Sequence, residues 1–126
     1  MKLTFSDKIN ILTEYLKSIG FEVILFSDKL PHDISGRIFY VNGQIHIGNL
    51  GSAEDAFYTL LHESGHAVSY NKYFVRLAEN QPSVEKREIY AYLYGWYLNK
   101  HLKLNVSKKT WRLENNEIYH TKNTTQ

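Results

Sequence analysis

His62, Glu63 and His66 are the residues of this chain best suited to chemistry, within Leu60-Leu61-His62-Glu63-Ser64-Gly65-His66-Ala67-Val68. Histidines four apart on a helix lie one above the other, so both imidazoles reach one metal ion while the glutamate stands beside it. That is the wiring of a zinc hydrolase. Catalytic zinc takes three protein ligands and leaves a position for water, two histidines with a glutamate being one established set. The chain has no cysteine, so thiolate ligation is excluded and a metal must be held by His and carboxylate.

Glu88 supplies that carboxylate. Val84, Glu88, Ala91, Gly95, Leu98 and Leu102 recur in steps of four and three, a seam down one helix face in which Glu88 is the only charged member. A carboxylate buried in such a seam needs a partner, and a cation shared with His62 and His66 is one. Glu85 competes for the role, since residues three apart lie on a similar side, but it falls in the first turn, where the helix dipole already favours a carboxylate, so Glu88 in the seam is the expected ligand. A bound cation lowers the pKa of its water, and Glu63 is placed to take that proton and pass it to a leaving amine. The implied reaction is peptide-bond hydrolysis. Asp55 and Thr59 fall on the histidine side of the same helix, either to orient the imidazoles or as solvated polar residues. Tyr90, Tyr92 and Tyr94 are candidates for stabilising an oxyanion, and the sequence does not choose among them.

The elements that must position these residues can be read in order. Ser6 can cap a helix in which Ile9, Leu12, Leu16 and Ile19 repeat at three and four, closed by Gly20. Residues 21–26 (F-E-V-I-L-F) form a β-rich run, expected as a central strand, followed by a loop through Pro31 and Gly36. Arg37 to Val41, Asn42-Gly43 and Gln44 to Ile47 read as a hairpin with a type I′ turn. In its second strand Ile45 and Ile47 share one face; His46, on the other, reads as solvent-facing, cleft-rim or ligand. Gln44, Ile45 and His46 are expected to form an edge that receives the substrate as an added strand.

Ser52 opens the next helix, to about Tyr70. Its apolar residues Ala53, Ala56, Phe57, Leu60, Leu61, Ala67 and Val68 gather opposite His62 and His66. The apolar side lies on the sheet, so the histidine side needs a cover or opens to a cleft. A polar connection over 71–82 leads to a helix over 84–102 capped by Ser83. A weak period around Trp111 to Tyr119 suggests a short helix, and Thr121 to Gln126 read as a disordered tail. The prediction is an α+β fold: an N-terminal helix, a small three-stranded sheet, the histidine helix packed on it and a following helix carrying Glu88.

The chain has 126 residues, 43% of them hydrophobic, which suits one domain over 1–120 and leaves no room for a second core. A formal charge of +2 argues for no nucleic-acid surface. No segment has the apolar length of a membrane span or of a signal peptide, so a cytoplasmic monomer is expected.

His62-Glu63-Ser64-Gly65-His66, with Glu88 in Lys86-Arg87-Glu88-Ile89-Tyr90-Ala91-Tyr92-Leu93-Tyr94-Gly95, resembles the ImmA/IrrE family of small metallopeptidases over residues 20 to 102. The resemblance implies a compact zincin-like domain in which a small sheet backs the active-site helix. It implies His62, His66 and Glu88 as zinc ligands and Glu63 as catalytic acid/base. Members are often encoded by phages and mobile elements and cleave a helix-turn-helix repressor, so a transcriptional repressor is the implied protein partner. The chain departs from the usual pattern at Ser64, where an aliphatic residue is common, and at Ile89 and Tyr90. The reading from another class is a regulatory or toxin-like interaction protein that keeps zinc as a structural brace.

Overall fold

The computed structural model describes residues 2–31, 34–74 and 83–125. It is an α+β fold of four helices and a three-stranded sheet: α1 (Phe5–Ser18), β1 (Glu22–Ile24), β2 (Gly36–Phe39), β3 (Gln44–Ile47), α2 (Ala53–Ser69), a π-helical turn (Tyr70–Phe74), α3 (Val84–His101) and α4 (Lys108–Thr125). The rest of the polar connection read over 71–82 lies outside the described residues.

Helix α1 begins two residues earlier than Ser6 would place it. Thr4 is the cap: its hydroxyl accepts from Asp7 N at 3.0 Å, and Asp7 Oδ2 accepts from Thr4 N at 2.9 Å. This reciprocal box satisfies more of the open helix end than a lone serine can. At the other end Phe21 N donates to Leu16 O and Gly20 N to Lys17 O, the paired bonds of a Schellman closure at the expected glycine. Ile9, Leu12 and Leu16 are buried as their spacing predicts.

The sheet order is β1-β3-β2, with β1 parallel and β2 antiparallel to β3. Two expectations are corrected here. The 21–26 run supplies an outer strand, and Gln44–Ile47 is the central strand, paired on both sides; Gln44, Ile45 and His46 are no edge. An outer strand of three residues can be as apolar as a central one when its inward face is covered, so local composition could not rank them. The turn differs too. Gly43 has φ +63° while Asn42 is not left-handed, and Gly43 N donates to Tyr40 O at 3.3 Å. A four-residue loop over 40–43 with glycine last replaces the two-residue Asn-Gly turn.

Ile45 and Ile47 are fully buried and turn to α2, which crosses the sheet. Helix α2 is more enclosed than an amphipathic surface helix: every residue from Phe57 to Ala67 is buried. Its apolar side meets α1 and the sheet, and its histidine side is covered by α3 and α4. The α3–α2 crossing is close because Gly65 has no side chain; a Cβ there would lie 2.1 Å from Ala91 O and 2.9 Å from Gly95 N. Helix α4, longer than its weak periodicity suggests, takes in most of the residues read as tail. It docks through Trp111, fully buried, whose Nε1 donates to Tyr92 O at 3.0 Å. The α3–α4 corner is held by Asn99, whose amide both donates to Val106 O and accepts from Val106 N. No helix among the described residues is long and apolar enough to cross a membrane.

Candidate metal centre

The one-turn spacing of His62 and His66 on α2 and the close α2–α3 crossing bring three side chains together. Glu88 Oε2 lies 2.8 Å from His62 Nε2 and 3.2 Å from His66 Nε2. One ligand atom from each of His62, His66 and Glu88 falls within 4.8 Å of the others, and all three residues are buried. Glu88, not Glu85, is therefore the carboxylate brought to the histidines; Glu85 is exposed at the start of α3.

His62 shows how the cluster could hold a metal ion. Its Nδ1 lies 2.6 Å from Asn115 Oδ1 on α4. With the amide oxygen as acceptor, the proton sits on Nδ1 and the Nε2 lone pair faces the cluster. That Nε2 is enclosed and makes no hydrogen bond, although Glu88 Oε2 is close. An imidazole nitrogen and a carboxylate enclosed together need a cation between them, a proton or a metal ion, and three such donors converging within 4.8 Å fit a divalent metal. Two imidazoles and one carboxylate suit zinc-like ions.

Glu63 is fully buried, one position along α2 from His62. Strand β2 passes tightly over it: a Cβ on Gly36 would lie 2.6 Å from Thr59 Cγ2 and 3.4 Å from Glu63 Cγ. Thr59 thus packs under the strand. Asp55 lines a separate cavity with Glu114 and Glu117, where burial, Glu117 and Asp55 push the Glu114 carboxyl up. The residue that orients an imidazole is Asn115. Trp111, Asn115 and Ile118, spaced four and three, are the buried residues of α4 over 108–118, and a lone polar member in such a seam was the available signal.

A cleft of about 480 Å³ opens beside the cluster, with His66 and Glu88 on its floor, Gly36 and Ile38 along one wall and Arg87 opposite. Tyr40 also lines it, stacked on Tyr70 at 4.2 Å. Burial, then the Glu63 carboxylate, pushes the Tyr40 hydroxyl far up, so it stays an O–H donor at any physiological pH. The tyrosines singled out on α3 lie elsewhere: Tyr92 stacks on Trp111 and Tyr90 on Tyr94. Nothing in the motif points to Tyr40, which reaches the site from the end of the hairpin.

His46 does not reach the cleft. It is buried on the opposite face of the sheet, with Nδ1 2.7 Å from Ser27 Oγ, Nε2 3.0 Å from Gln44 Oε1 and the Phe39 ring edge-on. Ile45 lies in the core. The edge-strand role expected of Gln44, Ile45 and His46 does not hold, because β3 is paired on both sides, with Ile45, His46 and Ile47 buried.

Fold and site together define an α+β domain with a buried His–His–Glu group that could hold a metal ion. Comparison of the chain with protein-family models, curated proteins and solved structures returns no match.

Proposed function

We propose that the chain is a zincin-like, zinc-dependent endopeptidase acting on a protein partner. The observation that carries the reading is the enclosed His62 Nε2, turned by Asn115 towards Glu88 and His66 with Glu63 buried alongside. His62, His66 and Glu88 would hold the zinc, which when bound supplies a Lewis acid that acidifies water and polarises a carbonyl. Glu63 accepts the proton from water and returns it to the leaving amine. Tyr40 offers its hydroxyl to the carbonyl oxygen from across the cleft. The peptide lies extended along β2, whose outer edge is unpaired among the described residues, adding a strand to the sheet. The resemblance to ImmA/IrrE metallopeptidases suggests a helix-turn-helix repressor of a phage or mobile element as that partner.

The reading is tested by incubating zinc-loaded protein with a repressor encoded beside it, or with a pool of proteome-derived peptides, and mapping new termini by mass spectrometry. New termini should appear with wild type and vanish with Glu63→Gln, while the zinc content of the variant is unchanged. Cleavage that survives in Glu63→Gln would remove the proton-transfer role from this residue. One feature favours a second reading, zinc as a brace in an interaction protein: the cluster ties α2 to α3 and, through Asn115, to α4. Binding of a repressor that is equally strong in wild type and Glu63→Gln, with no cleavage by either, would favour it.

A further inference from the structure

We infer that Arg87 sets the specificity of the cleft by holding a carboxylate of the bound peptide; the inference rests on the peptidase reading above and adds the chemistry of what is bound. Arg87 immediately precedes Glu88 on α3, so its side chain leaves the helix about 100° around from the carboxylate. It lines the cleft with Tyr40, His66 and Glu88. Its Nε is enclosed by protein and has no hydrogen-bond partner. Glu88 Oε2 lies against the two histidine nitrogens, and no ion pair among the described residues reaches Arg87. A guanidinium is a permanent cation with a planar row of donors, and enclosing one of them without an acceptor is unfavourable.

The surroundings say what completes it. Among the described residues the rest of the lining is apolar or neutral, from Ile34, Ile38, Val84 and Tyr40, apart from Arg37, whose guanidinium lies over the Phe39 ring. Tyr40 stays protonated and cannot act as a counter-anion. Glu88 faces the imidazoles. Because Nε is enclosed, a ligand in the cleft meets the terminal Nη1 and Nη2, and the carboxylate is the group a peptide carries that pairs with both through two parallel bonds. The source is either an Asp or Glu side chain near the scissile bond or the C-terminal carboxylate. In both cases the fork is fixed relative to Glu88 by one helical step, so it reads a position at a set distance from the metal.

The experiment is calorimetric binding to the full, zinc-loaded chain. The probes are hydroxamate-capped tripeptides carrying Glu, Gln or Lys, each prepared as free acid and as amide, so that the hydroxamate anchors every probe at the metal. Wild type should bind the favoured carboxylate probe about tenfold or more tighter than its neutral counterpart, the scale of a hydrogen bond to a charged group. A Glu-over-Gln difference assigns a side-chain carboxylate, and an acid-over-amide difference assigns the C-terminus. The preference should vanish in Arg87→Gln, survive in part in Arg87→Lys and turn towards the Lys probe in Arg87→Glu, with zinc content and circular dichroism unchanged. Equal affinity of all probes for a wild type that holds zinc and binds acetohydroxamate overturns the role of Arg87 alone. A wild type that holds no zinc, or holds it and binds no hydroxamate, overturns the peptidase reading and this inference with it.

Discussion

Asn115 commits His62 to a single tautomer, and that commitment is what distinguishes a ligand from a histidine that merely fills space. Removing the amide frees the ring to turn and to place its proton on either nitrogen. Asn115→Ala should therefore weaken zinc binding about 10- to 100-fold, the usual scale for the loss of such a partner, while Asn116→Ala, exposed one position on, should leave it unchanged. Competition with a fluorescent zinc chelator measures both. Equal affinities would show that the 2.6 Å contact does not control His62. At this scale the group that could hold a metal was readable from sequence because one helix period decides which residues share a face: His62, His66 and Glu88 each follow from counting turns. Tyr40 was not, since it comes from a loop whose placement depends on tertiary packing, and Asn115 left only the trace of a lone polar residue between Trp111 and Ile118 in a weak seam.

Strand order, rather than strand content, decides which backbone is open to a peptide. Gly48 N donates to Ser35 O opposite it. With the register Gly36↔Ile47 and Ile38↔Ile45, antiparallel alternation turns the N–H groups of Gly36 and Ile38 to the outer edge of β2. Ile38→Pro removes one of these donors without breaking the ladder to β3. It should lower the affinity of an extended hydroxamate peptide about tenfold while keeping the zinc, whereas Ile38→Ala, which loses similar packing, should retain most of that affinity. Equal weakening by the two would argue that the side chain matters and the added strand does not. The hairpin itself was legible from Asn42-Gly43, but the edge was assigned to the wrong strand. Alternation within Gln44–Ile47 tells which way side chains point and carries no information on what pairs alongside, and here β1 returns to cover that edge in parallel.

At the scale of the molecule, the metal group lies where α2, α3 and α4 meet, so a bound ion belongs to the folded chain as a whole. An ion that binds the native state and not the unfolded one adds stability that grows with the logarithm of its concentration. At a hundredfold excess over the dissociation constant, zinc should raise the melting temperature by roughly 10 °C for a domain of this size. Glu88→Ala should abolish the rise and Glu85→Ala should preserve it; the reverse pattern would reassign the third ligand. The α+β class and the order of the main elements were legible because each helix and strand carries its own period and caps. The enclosure of α2 on all sides was only half visible, since its histidine face reads as polar until a second and third helix are set against it.

The contact of Gly65 with the backbone of Ala91 and Gly95 also has an informational use. A five-residue motif with two histidines and a glutamate arises by chance in many chains, and nothing in it demands a partner helix. A chain that closes its helices as this one does must also omit a side chain before the second histidine and keep small residues three and seven positions after the ligand glutamate, where Ala91 and Gly95 stand. Those spacings are set by packing, Gly65 against the backbone of α3 and Gly95 against the Trp111 indole, rather than by catalysis. They form a fingerprint by which distant relatives sharing this closure can be sorted from coincidental matches, including relatives that have lost the glutamate of the motif and kept the fold.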